Sequence, residues 1–132
     1  IIRSCEAFGV DAIIIPNDRS VDITGTVVKE SVGTIEKVKI IKVTNLNNTI
    51  KKLKDYGYWV VGTDMEGTVY TDIDYKMKTA LIIGNEGKGI SRLVSENCDY
   101  LAKIPMSGTV NSLNASVACG IFLAEINRSR GV

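Results

Sequence analysis

Histidine is absent from this 132-residue chain. Without it, Ser-His-Asp and Cys-His nucleophilic arrangements, His-ligated metals and the usual neutral-pH general base are all excluded. Any chemistry must therefore run on arginine, lysine, carboxylates, hydroxyls, amides or the backbone. Cysteine is scarce: Cys5, Cys98 and Cys119 stand far apart in apolar or helical surroundings. They offer neither paired zinc spacing nor an even disulfide framework, so we expect buried free thiols in a reducing cytoplasm. No apolar run reaches the roughly 18 residues of a membrane span. No basic segment precedes an apolar one, so no signal peptide is expected. Charge of one sign is also lacking. A net charge of +1 is too small for binding that rests on phosphate contacts across the whole surface. An RNA partner would need a local patch, or affinity lent by another segment or subunit.

What is present is an ordinary globular balance, 45% hydrophobic and 23% charged, sized for one domain. The chain opens on Ile1-Ile2-Arg3, already inside a helix, and is expected to be the N-terminally truncated part of a longer protein. Strand and helix signals then alternate. A helix from Ile1 to Phe8 closes at Gly9, and Asp11 to Ile15 is a short β-branched strand stopped by Pro16. Asn17 to Ser20 supplies turn chemistry. Thr26 to Val32 reads as a weak helix and Val38 to Val43 as a strand. Leu46, Ile50 and Leu53 share one helical face opposite Lys51, Lys52 and Lys54; a solvated face explains those lysines more simply than an RNA platform does. Tyr58 to Thr63 forms a strand leading into a polar loop, Asp64 to Asp74. Strands Thr79 to Gly84 and Tyr100 to Ile104 follow, and a final helix runs from about Ser112 to Arg128. Continuous apolar strands separated by helices predict an α/β domain, its mostly parallel sheet covered by helices on both faces. Ligands in such sheets bind beyond the carboxyl ends of the strands. The loops after Ile15, Thr63, Gly84 and Ile104 are therefore the ones to examine.

Two of these loops carry chemistry. Gly84-Asn85-Glu86-Gly87-Lys88-Gly89 lies between a strand and a helix beginning near Ile90. Its glycines permit close backbone approach, but the spacing is neither the dinucleotide fingerprint nor a P-loop. A structural turn explains it about as well as a ligand does. Ile104 to Asn114 is long for an α/β connection and interleaves glycine and hydroxyl residues with Ile104, Met106, Val110 and Leu113. Such a loop can wrap an aromatic heterocycle, apolar side chains on its faces and backbone groups on its edge. The helix that follows opens on Ser112-Leu113-Asn114, with free N–H groups at its positive end. A capped helix, with Asn111 or Ser112 serving the first turn, is the simpler account, though it leaves the loop's length and Asn114 unexplained.

Leu81 to Ile90 resembles the second motif of the SpoU (TrmH) family of RNA 2′-O-ribose methyltransferases, and Ile104 to Glu125 resembles its third. Ile1 to Val10, with the stretch from Ile14 to Ser20, resembles the remainder of the first, whose upstream Asn and Gly would precede Ile1. The resemblance implies a C-terminal deep trefoil knot, a rare exception to ordinary chain topology. It implies S-adenosyl-L-methionine bent within that knot, its adenine held by backbone groups around Thr63, Gly84, Ile104, Met106 and Leu113. It implies Arg3 as the central catalytic group, with Glu86, Ser112 and Asn114 around it, and no metal. It also implies a homodimer packed through the C-terminal helix, for which Val117, Ile121 and Ala124 form a suitable face unless they are core. The expected substrate is RNA, 23S ribosomal RNA first and transfer RNA as the alternative. Arg3 is an awkward literal base, because a guanidinium pKa lies above about 12; positioning and alkoxide stabilisation suit it better. Asp18 and Arg19 stand equally as RNA contacts or as a turn. Two other classes compete: a non-methylating enzyme using the glycine loop for nucleotide phosphates, and a cofactor-binding adaptor without catalysis.

Overall fold

A computed structural model describes every residue except 18–22, 30–37, 76–77, 85–88, 110–112 and 132. Among these residues six strands, β1 (Ala12–Pro16), β2 (Ile23–Lys29), β3 (Lys39–Val43), β4 (Trp59–Val69), β5 (Thr79–Gly84) and β6 (Tyr100–Lys103), form one sheet in the order β3-β1-β2-β5-β4-β6. The helices among the described residues are α1 (Ile2–Ala7), α2 (Leu46–Asp55), α3 (Arg92–Glu96) and α4 (Ala115–Ser129). β1 pairs parallel with β3, and β4 pairs parallel with both β5 and β6. Among the described strands only β2 runs the other way, antiparallel to β1 and β5.

That inverted strand corrects the helix expected over Thr26 to Val32 as far as Lys29; residues 30–32 lie outside the described residues. Thr26, Val27 and Val28 are all buried, and β-branched side chains pack well on a pleated surface while losing rotamer freedom in a helix. The expected polar loop from Asp64 is corrected as well. β4 continues through Val69, then a 3-10 turn spans Tyr70–Asp72. A break in register between Thr63 and Thr68, both paired near Ala102, lets the strand pair with β6 on either side of an excursion. Gly67 permits this, since a Cβ there would lie 2.4 Å from the Leu101 carbonyl oxygen.

Helices cover both faces, as the apolar strand pattern predicts. On one face Cys5 of α1 and Cys119, Phe122, Leu123 and Ile126 of α4 pack against Ile13, Val27, Val61 and Leu81. On the other, Leu46 and Ile50 of α2 and Val94 of α3 meet Val60, Ala80 and Ile82. Lys51 and Lys52 point to solvent, while Lys54 donates to the Asn97 carbonyl at 3.2 Å and sits 3.7 Å from Asp99. The edge strand β3 is less covered than expected, with Ile40 and Ile41 nearly half exposed. Cysteines 5, 98 and 119 are free thiols, and burial pushes the Cys98 thiol up to about 12. Among the described residues, no helix is long and apolar enough to cross a membrane.

Phe122 meets the ring of Tyr70 edge-on at 5.7 Å and is 1% exposed. Phe122→Ala should therefore lower the free energy of unfolding by about 3–5 kcal/mol, measured as a shift of the urea midpoint at unchanged slope.

Candidate active site at the carboxyl edge of the sheet

Parallel pairing brings the carboxyl ends of β4, β5 and β6 to one edge. Gly62 lies opposite both Ile82 and Leu101, and Thr63 lies opposite Ala102. Thr63, Gly84 and Ile104 therefore sit at the same end of three adjacent strands. The Gly84 N–H donates to Thr63 Oγ1 at 3.3 Å, tying two of them directly. Gly84 needs to be glycine: a Cβ would fall 2.7 Å from the Gly89 carbonyl carbon, so Gly89 packs against bare backbone. Gly89 itself has a φ of 70°, a left-handed geometry that glycine adopts without strain.

Beyond Ile104 the chain carries exposed Met106 and half-buried Leu113. Asn114 then caps α4. Its Oδ1 accepts from the Ser116 N–H at 2.9 Å and from Ser116 Oγ at 2.6 Å. The helix thus begins later than expected, at Ala115, and Asn114 fills the capping role that Asn111 or Ser112 was expected to take. Asn111, Ser112 and Val110 lie outside the described residues, as do Glu86, with the rest of segment 85–88, and Asp18 and Arg19.

Arg3 is exposed on α1, and α1 lies against α4. Ile1, Ser4 and Phe8 line a shallow groove of about 570 Å³ with Ser116, Val117, Gly120, Ile121 and Ala124. The helix of Arg3 is therefore brought beside the first turns of the helix that Asn114 caps. Val117, Ile121 and Ala124 face this groove, not the core. The carbonyl end of α1 is anchored firmly. Lys29 Nζ donates to Phe8 O at 2.8 Å and Gly9 O at 3.1 Å, and Asn127 Nδ2 donates to Phe8 O at 3.2 Å. Burial holds the Lys29 ammonium below the usual lysine range, an effect that nearby Arg130 reinforces. No group of His, Cys, Asp and Glu among the described residues could hold a metal ion.

The sequence model of the SpoU rRNA Methylase family matches residues 1–124. The chain belongs to that family. A Staphylococcus saprophyticus relative named as a TrmH family tRNA/rRNA methyltransferase is 52% identical over 131 residues, covering 98% of this chain and 53% of the relative. A Staphylococcus aureus relative of the same description is 53% identical, with the same coverage. The SpoU chain thus spans about half the length of the curated relatives it matches. Among solved structures, the A. aeolicus TrmH/SpoU tRNA modifying enzyme superposes with a TM-score of 0.81 at 31% identity, covering 98% of this chain and 66% of that one. The SpoU methyltransferase AviRb from Streptomyces viridochromogenes, in complex with AdoMet, gives 0.78 at 27% identity, covering 98% and 54%. An AdoMet-bound rRNA methyltransferase from Sinorhizobium meliloti gives 0.76 at 29%, covering 96% and 49%. S-adenosylmethionine is thus the cofactor seen in members of the family.

Sequence reasoning on the SpoU chain missed the residues that hold the site in shape. Ser116, Lys29 and Asn127 were not singled out. Lys29 belongs to the segment misread as helix, and Asn127 sits 119 residues from the carbonyl it serves. Only the serine two places beyond Asn114 carried a local signal, that of an Asx-type cap.

Proposed function

We propose that this chain is the catalytic domain of an S-adenosylmethionine-dependent RNA ribose 2′-O-methyltransferase, acting on 23S ribosomal RNA. One observation carries the reading: Thr63, Gly84 and Ile104 stand together at the carboxyl edge of the sheet, and Asn114 follows them at the start of a helix flanked by Arg3's helix. The donor set fits an adenine-bearing cofactor. Ile104, Met106 and Leu113 supply apolar faces, Thr63 and Gly84 supply close backbone, and the bare Gly84–Gly89 contact keeps the Gly89 backbone against the end of β5. When bound, the cofactor supplies an electrophilic methyl group on sulfur.

What the protein must add is orientation and management of a hydroxyl proton. Arg3 holds the acceptor ribose or its flanking phosphate and stabilises the charge that builds on the 2′-oxygen. Asn114, with Ser112, holds the ribose, and Glu86 belongs to the same catalytic set. Arg130, at the end of α4, is tied to the start of β5: its Nε donates to the Tyr75 carbonyl at 2.7 Å, and its Nη2 donates to Thr79 Oγ1 at 3.2 Å. The C-terminal trefoil knot belongs to the same proposal and rests on membership of the family. The apolar groove along Val117, Ile121 and Ala124 supports a homodimer seated on α4.

Calorimetry should show S-adenosylhomocysteine binding and no binding of ATP at the same concentration. Tritiated methyl groups should pass to an unmodified 23S transcript, with label retained in alkali-resistant dinucleotides, the mark of a blocked 2′-hydroxyl. Label confined to transfer RNA transcripts would move the substrate; label on a base would overturn the ribose assignment. ATP binding without S-adenosylhomocysteine binding would favour the phosphate-loop enzyme.

A further inference from the structure

A side-chain amide has two chemically opposite edges, and the structure fixes which one Asn114 presents. A backbone N–H can only donate, so the atom that it meets at 2.9 Å must be the carbonyl oxygen, Oδ1. Ser116 Oγ reaches the same oxygen at 2.6 Å, at the short end of the range for such bonds. Two donors on one oxygen leave the NH₂ edge turned away from the first turn of α4. The backbone contact alone is an ordinary helix cap. The hydroxyl adds a second, off-axis anchor that the cap does not require, and it opposes rotation of the amide about its own bond. Ser116 also borders the groove where Ile1 and Ser4 of α1 meet α4.

We propose that Ser116 is a positioning residue that locks the Asn114 amide with its NH₂ edge toward the reacting groups. Asn114 then acts as a donor, and the atom that it meets is an acceptor oxygen, either of the RNA ribose or of the cofactor's carboxylate. This rests on the role given to Asn114 above and deepens it. Ser116 itself touches neither substrate nor cofactor.

The test uses the RNA that accepts methyl groups in the experiment above, with S-adenosylhomocysteine calorimetry beside it. Ser116→Ala should lower turnover about 3- to 10-fold and leave the thermal midpoint nearly unchanged, because the backbone cap remains. Ser116→Thr, which keeps the hydroxyl, should restore turnover. In an Asn114→Ala background, Ser116→Ala should cost nothing further. A drop in kcat at constant S-adenosylhomocysteine affinity places the acceptor oxygen on the ribose; an equal loss of that affinity places it on the cofactor. If Asn114→Ala is severe while Ser116→Ala keeps full turnover, the positioning role is overturned and Asn114's role stands. If Asn114→Ala itself keeps full turnover, the reading of Asn114 fails first. A lowered thermal midpoint with normal turnover would make Ser116 a purely structural residue and also overturn the proposal.

Discussion

Arg3→Ala is expected to reduce methyl transfer by about 10²–10³-fold, the scale seen when one preorganised donor is lost from a developing oxyanion. S-adenosylhomocysteine affinity should stay within about twofold, since the proposed cofactor contacts come from the strand ends and not from α1. The side chain is exposed, yet its helix is not loose. Lys29 and Asn127 fix the carbonyl end of α1 through Phe8 and Gly9, and Cys5 is fully buried against α4. An exposed guanidinium on a fixed helix can reach outward to RNA without unfolding anything. Arg3→Lys should recover little, because an ammonium lacks the planar fork that engages two oxygens at once. Single-turnover rates with saturating cofactor measure the effect directly. A parallel collapse of cofactor affinity would move Arg3 into the cofactor site.

Gly84→Ala should weaken S-adenosylhomocysteine binding about 5- to 100-fold, the equivalent of about 1–3 kcal/mol of overpacking. The added Cβ would lie 2.7 Å from the Gly89 carbonyl carbon and 2.9 Å from its oxygen. Backbone cannot step aside as a flexible side chain can, so the loop must shift away from the strand end. The Gly84 N–H bond to Thr63 Oγ1 would shift with it. Calorimetry reads the affinity and thermal unfolding reads the strain. Gly108, where an added Cβ meets nothing within 4 Å, provides the control: Gly108→Ala should leave the fold's stability unchanged. Wild-type affinity in Gly84→Ala would remove this loop from the cofactor site.

Much of this site was legible because its residues lie in two short windows. Thr79 to Gly84 is apolar enough to read as a strand, and its carboxyl end announces where a ligand would sit. Ile104 to Asn114 was legible by its length and its mixture of glycine, hydroxyl and apolar residues. Thr26 to Val32 was misread because Lys29 and Glu30 interrupt the apolar run and blur a period of two. Burial of Lys29 depends on carbonyls about 20 residues away, which local pattern cannot show. The extension of β4 through Asp64 and Glu66 was hidden for a similar reason. Those residues look like loop by polarity, and it is the pairing with β6 on either side of them, at Thr63 and again at Thr68 and Val69, that carries the strand past them. Asn114 was marked for its chemistry, while the serine two places on signalled a cap alone; that its hydroxyl reaches the same Asn114 oxygen as its N–H is a tertiary detail that spacing does not reveal.

The single inverted strand divides the sheet into halves that are each continuous in sequence. Residues 12–43 supply β3, β1 and β2, residues 59–103 supply β5, β4 and β6, and the β2–β5 pairing is the joint between them. During synthesis the first half is complete while its seam edge, the open side of β2, still awaits a partner. Unpaired edges of this kind template association with other chains, and non-local pairing is slow to form. The interval between the emergence of Lys29 and of Thr79 is thus the stage at which the nascent chain is most exposed to aggregation, and a chaperone that shields β2 would act there.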